Sequence, residues 1–190
     1  MFKRDFLKIC SWLLALAYVC LSNAHAQSQD FNVKVDVAQQ GAVFHTQASF
    51  YLPLNGCQAY KYITDYDVAK SIPGVIESTT TRIDARKARV ERVMQERILM
   101  FPIKMHAVLE FTETPGQGTD FVQISGEAKS YKGAWRLETD ANGTLFKYRA
   151  ESEPDSVFPK AVIEYFIKNR VKSSFEAMAK AGAERAKQPC

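Results

Sequence analysis

From Phe31 onward apolar and polar positions alternate strictly: Phe31, Val33, Val35 and Val37 are separated by Asn32, Lys34 and Asp36. A period of two predicts a strand with one wet face. Gln39-Gln40-Gly41 turns the chain, and Phe44, Ala48, Phe50 and Leu52 mark one face of a second strand that Pro53 ends. Asn55 stands where it can cap a short helix from about Gly56 to Ile63, with Ala59, Tyr60 and Ile63 on its apolar side. Thr64 or Asp65 stands where it can cap a second short helix ending near Ile72. Pro73-Gly74 then forces the backbone out of helix, because proline disfavours the α conformation in the residue before it and glycine accepts a left-handed one.

The period of two returns over about six strands. One runs over 75–83, with a turn at 85–87. A long one follows over 88–101 and is broken by Pro102. Ile103, Met105, Ala107, Leu109 and Phe111 alternate along the next, which ends at the turn Pro115-Gly116-Gln117-Gly118. A strand over 120–130 reaches a corner at Lys132-Gly133, another covers 134–140, and Ala141-Asn142-Gly143 closes a hairpin into a last strand over 144–153. Successive strands on short turns imply an antiparallel sheet.

After Pro154 and Pro159 the period changes. Lys160, Glu164, Lys168, Lys172, Glu176, Lys180 and Glu184 recur at every fourth residue, and Ile163, Phe166, Ile167, Val171, Phe175 and Met178 fill the opposite side. This is a long amphipathic helix. Its ion pairs are worth only about 0.3 kcal/mol each, whereas burying each large apolar side chain is worth about 1.5–3 kcal/mol. The apolar stripe must therefore lie on the sheet. The fold class is α+β: a curved antiparallel sheet wrapped around a long C-terminal helix, with two short helices after the first strands. Such a layer pair leaves more space than side chains fill, which favours an apolar cavity.

Composition narrows the class of function. The 190 residues are 46% hydrophobic and 24% charged, with a formal net charge of +4. Cations are interleaved with anions and form no dense block, so no nucleic-acid partner is expected. At the N-terminus Lys3, Arg4 and Lys8 precede an apolar run, and Ala24-His25-Ala26 offers a small-x-small cleavage site. Residues 1–26 thus read as a secretory signal peptide, with retention as an anchor the alternative. Localisation across the inner membrane, in the periplasm, is expected. Of four cysteines, Cys57 and Cys190 lie beyond that segment. Spacing leaves open whether they pair, and 187–190 reads as a flexible polar tail. No Cys/His cluster supports a metal site, and no cofactor is implied.

Ile63-Thr64-Asp65-Tyr66-Asp67, then Ile72-Pro73 and Glu77-Ser78, then Tyr131-Lys132-Gly133-Ala134-Trp135-Arg136-Leu137, then Tyr148-Arg149-Ala150 with Pro154 and Pro159, occur in an order and spacing that resembles the SRPBCC or START-like superfamily. The likeness is to its polyketide cyclase/dehydrase and coenzyme Q-binding (COQ10-type) branch. It covers about 43–183 and places one START-like domain over 27–186. The resemblance implies a helix-grip fold with a ligand cavity between sheet and long helix. Members share a fold and little catalytic machinery, so no reaction is inherited from it.

Within that frame Asp65 and Asp67 read as backbone-shaping residues, with Asp65 capping a helix and Tyr66 packing beneath it, since neighbours on a helix diverge by about 100°. Arg92, Met94 and Glu96 share a face of one strand. If it lines the cavity, the two charges pair there and orient a ligand's polar head; if it is solvated, they are ordinary surface charges. Met105 and Leu109 from the next strand, Trp135, Phe146 and Tyr148 from later ones, and Ile163, Phe166, Ile167 and Arg170 from the helix complete the candidate cavity lining. The aromatic members serve equally well as core. His45 and His106 lack a recognisable nucleophile motif beside them, and no catalytic residue is assigned. The expected function is non-enzymatic binding of a hydrophobic small molecule, such as a lipid, quinone-like or polyketide-like compound. The alternatives are a cyclase/dehydratase-type enzyme, and a module whose groove takes another protein or makes transient membrane contact near the 63–75 connection. Oligomeric state is not legible.

Overall fold

In a computed structural model that describes residues 31–98, 100–156 and 158–190, β1 (Lys34–Gln40) and β2 (Val43–Leu52) form a hairpin, followed by α1 (Gly56–Thr64) and a 3₁₀ segment (Tyr66–Ser71). A six-strand meander comes next: β3 (Val75–Arg82), β4 (Lys87–Ile98), β5 (Phe101–Thr114), β6 (Gly118–Gly126), β7 (Ala128–Thr139) and β8 (Thr144–Pro154). The helix α2 (Lys160–Glu184) closes the fold. Among the described residues the eight strands make one antiparallel, curved sheet in the order β1-β2-β8-β7-β6-β5-β4-β3. The expected signal peptide lies outside the described residues.

The alternation read along the strands becomes the two faces of this sheet. Phe44, Thr46, Ala48, Phe50 and Leu52 are all buried on β2, as are Phe146, Tyr148 and Ala150 on β8 and Ala107, Leu109 and Phe111 on β5. Phe50 is fully buried and stacks on Phe146 with ring centroids 4.9 Å apart. From α2, Phe175 inserts beside Tyr148 at 5.1 Å, Trp135 at 5.7 Å and Phe50 at 6.3 Å. The first turn of α1 is fixed locally by a capping box. The Asn55 side chain accepts from the Gln58 N–H at 2.9 Å, and the Asn55 N–H donates to Gln58 Oε1 at 3.1 Å. Its buried face is Ala59, Tyr62 and Ile63; Tyr60, expected there, turns instead towards Glu113. The Tyr62 hydroxyl donates to the Met178 carbonyl at 2.6 Å, tying α1 to α2, and burial raises its pKa well above the ordinary phenol value.

In the Asp65-Tyr66-Asp67 triplet, Asp65 and Tyr66 make tertiary bonds rather than a helix cap. Asp65 makes no side-chain cap; its carboxylate pairs with Arg185 Nη2 at 2.6 Å, fastening the end of α2. Tyr66 is buried, its hydroxyl donating to Glu113 Oε1 at 2.9 Å. That carboxylate also receives Arg82 Nη1 at 2.6 Å and the Tyr60 hydroxyl at 3.2 Å, so a buried acid has its charge and lone pairs satisfied.

Three boundaries differ from the sequence reading. Pro102 does not break a strand: it pairs with Arg97 near the start of β5. Pairing of β5 with β6 begins only at Ala107, so that end of β5 is flanked by β4 alone and a missing N–H is tolerated. Lys132-Gly133 is not a corner but mid-β7, opposite Val122 and Phe121 on one side and Glu151 and Ala150 on the other. Gly133 is there for space, since a Cβ would stand 2.4 Å from the Arg149 carbonyl and 2.5 Å from the Phe121 ring. The turn falls instead at Gly126-Glu127. Finally, the expectation of a loose tail over 187–190 is replaced by an anchored one. Cys190 is disulfide-bonded to Cys57, with Cα atoms 6.0 Å apart. Gln58 Nε2 donates to the Gln188 carbonyl at 2.7 Å, and Lys61 Nζ donates to the Cys190 carbonyl.

Candidate functional site

The helix α2 packs on the sheet through two clusters, and the side chains of the same face also border a hollow. At its start Ile163 is buried with Phe44, and Val37, Ile103, Phe158, Val162, Phe166 and Ile167 pack around them. Near its end Phe175, Met178 and Ala179 join the main core. Between helix, sheet and the 72–75 connection lies a hollow of about 570 Å³. Arg92, Met94, Glu96, Met105, Leu109, Trp135, Tyr148, Ile163, Phe166, Ile167 and Arg170 all border it. Phe146 does not. It lies beneath Phe50, fully buried, with the Tyr62 ring edge-on at 6.0 Å, so its place is the core. The structure adds residues that the sequence reading passed over: Phe111, Phe121 and Tyr131 from the sheet, and Ile72 and Pro73 from the connection.

Among the polar groups on the wall, which include Asp65, Lys104, His106, Gln123 and Glu127, three features stand out. The first is at the corner beyond Pro73. Glu96 is not paired with Arg92, as the shared strand face suggests, but with Arg170 of α2, Nε to Oε1 2.6 Å. Gly74 makes this possible. It has φ +90°, and a Cβ there would stand 2.0 Å from Glu96 Oε1 and 2.7 Å from Arg170 Nη2. In the sequence Arg170 is marked by its place on the apolar stripe, four residues beyond Phe166.

The second feature is Arg92 itself. Its Nε is buried without a hydrogen-bond partner, and among the described residues nothing pairs with its charge. Its guanidinium carbon lies 5.8 Å from the centroid of the Phe111 ring, a cation–π contact. Burial pulls its pKa below the usual arginine value, but a guanidinium keeps its proton in proteins.

The third feature is a pair of phenols. The hydroxyls of Tyr131 and Tyr148 are 2.7 Å apart, and Tyr148 packs between Trp135, Phe121 and Phe175. Desolvation is the main cause that raises both pKa values, and the effect is larger for Tyr148. Both are therefore neutral hydrogen-bonding groups at neutral pH. Of the two described histidines, His106 borders the hollow and His45 does not. His106 Nε2 reaches Glu91 at 2.7 Å and His45 Nδ1 lies 3.8 Å from Glu151, each with a well-exposed partner. A second depression, walled by Lys34, Asp36, Arg136, Glu138, Lys147 and Arg149, is open and charged. The surface ion pair Lys147–Glu138 lies between two of its lining residues, as on a solvated face.

No protein-family model matches the sequence, and no curated protein is similar to it. Solved structures are similar in fold. The protein TTHA0849 of Thermus thermophilus is 16% identical with a TM-score of 0.64, over 75% of this chain and 96% of its own. The Zhui aromatase/cyclase of a Streptomyces species is 12% identical with a TM-score of 0.63, over 77% and 94%. A STAR-related lipid transfer protein of Xanthomonas axonopodis is 13% identical with a TM-score of 0.63, over 78% and 98%. An eight-stranded antiparallel sheet gripping a long C-terminal helix, superposable on these proteins across almost their whole length, is the START-like helix-grip fold.

Proposed function

We propose that the protein binds a hydrophobic small molecule in the hollow between sheet and α2, without transforming it, after export to the periplasm. The observation that carries this reading is the hollow itself. Its volume of about 570 Å³ falls in the range of small-molecule sites, roughly 300–1,000 Å³, and most of the surface facing it is apolar. Burial of apolar ligand surface there would supply the affinity. The lipid transfer protein and the aromatase/cyclase among the solved structures of this fold support a hydrophobic cargo.

The buried phenols and the Glu96 carboxylate favour carriage over catalysis. Acid–base chemistry needs a group whose pKa lies near the working pH. Here Tyr131 and Tyr148 are pushed away from neutrality by burial, and the Glu96 carboxylate is engaged by Arg170. The Cys57–Cys190 disulfide supports an oxidising compartment.

Titration with the neutral fluorescent probe N-phenyl-1-naphthylamine tests the reading. The protein should bind the probe with enhanced emission. Ala107→Trp and Ile167→Trp, which fill the hollow from the sheet and from the helix, should each weaken binding by about tenfold or more, equivalent to about 1.4 kcal/mol. Thermal melts check that both variants are folded. A folded wild type that takes up no probe, or two folded variants that bind it unchanged, would overturn the proposal.

A further inference from the structure

Arg92 sits deep on the sheet side of the hollow. Its strand neighbours are Ser78 of β3 and Ala107 of β5, and its side chain leaves β4 on the same face as Val90 and Met94. It carries a fixed positive charge beside Phe111, near the Tyr131–Tyr148 pair. Its Nε is enclosed with no partner. Glu96, further along the same face, is committed to Arg170 at 2.6 Å and cannot serve it. Glu113, on the far side of Phe111, is taken by Arg82, Tyr66 and Tyr60. The fold has thus engaged the buried carboxylates Glu96 and Glu113 with other groups, while Glu127 and Asp155, which also border the hollow, are exposed residues; none of them is paired with this guanidinium among the described residues.

A buried charge without a counter-ion is strongly unfavourable, and a protein retains one where a ligand supplies the missing charge. The geometry of a guanidinium selects that ligand: its planar fork donates two parallel N–H···O bonds to a carboxylate. Among the described residues only one uncompensated cation faces the hollow's interior, since Arg170 is paired and Lys104 is exposed on β5, so a monoanion matches the site better than a phosphate dianion. A phenol of the Tyr131–Tyr148 pair can donate a further hydrogen bond to the same head. Most of the remaining wall is apolar, with Thr46, Gln123 and Ser174 among its polar members.

We infer that the ligand is an apolar carboxylic acid bound head-inward, its carboxylate on Arg92 and its hydrocarbon body along Met94, Met105, Leu109 and the Phe166–Ile167 face of α2. This deepens the proposed function and rests on it. It differs from a generic apolar carrier, which would bind acids and alcohols alike, and from a head-outward arrangement at the Glu96–Arg170 corner, where the carboxylate of Glu96 would repel an acid.

The test compares hexadecanoic acid with hexadecan-1-ol, which has the same chain and no charge, as displacers of N-phenyl-1-naphthylamine from the full protein at neutral pH. The acid should bind roughly 10- to 100-fold more tightly than the alcohol, the range expected for hydrogen bonds to a charged group. In Arg92→Met, of similar length and no charge, the acid should lose that advantage while the alcohol binds as well or better; Arg92→Lys should keep part of the preference, having the charge without the fork. Removal of an unpaired buried charge should leave the melting temperature of Arg92→Met unchanged or higher. Should that variant not fold, the acid–alcohol contrast in the unmutated protein decides alone. Equal affinities for acid and alcohol in the wild type, or an acid preference that survives in folded Arg92→Met, would overturn the inference while leaving the hydrophobic-carrier reading intact. Uptake of neither displacer nor probe would overturn both.

Discussion

Truncation of Phe175 to alanine is expected to cost about 3–5 kcal/mol of folding stability. Phe175 is the side chain by which α2 is held in the sheet, buried against Tyr148, Trp135 and Phe50 at centroid distances of 5.1, 5.7 and 6.3 Å. Its removal forfeits the transfer energy of the ring and leaves a gap that the stacked aromatics cannot collapse into, because Phe50 and Phe146 are already fixed against each other. For a domain of this size each kcal/mol corresponds to roughly 2–4 °C in melting temperature, so a fall on the order of 6–20 °C follows. Lys168→Ala is the control. Lys168 is half-exposed, and its partner is Glu164 at 2.7 Å, a surface i,i+4 pair, so its loss should stay within about 0.5 kcal/mol. Chemical denaturation of both variants measures the contrast. Equal effects would mean that the packed face of α2 is wrongly assigned.

Opening the Cys57–Cys190 disulfide is expected to have the next largest effect, about 2–5 kcal/mol. The two cysteines are 133 residues apart, so the bond encloses most of the domain. Cross-linking a chain over that separation removes a large part of the freedom of the unfolded state, and the benefit grows with the length of the closed loop. In the folded state the bond clamps the end of the chain to the first turn of α1. The Gln58–Gln188 and Lys61–Cys190 hydrogen bonds there are surface contacts that cannot replace it. In thermal unfolding, the wild type with reductant and Cys190→Ser without it should share a midpoint below that of the wild type without reductant. A midpoint that reductant does not move would show that the bond contributes nothing.

The strands are legible in the sequence because burial on one face of a sheet writes a period of two directly into the chain, as Phe44, Ala48, Phe50 and Leu52 show. Asn55 is legible because its capping box closes within four residues. The signals that mislead are those with two physical causes. Gly133 marks a close approach of backbone and ring, which in a sequence looks the same as a turn. Pro102 normally ends strands, and only the staggered end of β6 makes its position harmless. Partners far apart in sequence are also out of reach. Arg92 and Glu96 share a strand face, so local reasoning pairs them, but Glu96 is met by Arg170, 74 residues away, once α2 docks. The same docking recruits Asp65 to Arg185 instead of a helix cap. Phe146 and Tyr148 stand two residues apart on one face of β8. Only the three-dimensional position of Phe50 shows that the first is core and the second borders the hollow.

Native mass spectrometry of the protein purified from its own host under gentle conditions, paired with organic extraction of the same sample, tests most directly whether the space between sheet and helix holds an oily cargo. A non-covalent adduct that dissociates on activation and is recovered in the organic phase is the expected result. A bare polypeptide mass, with an empty extract and no apolar compound taken up when offered, would contradict it.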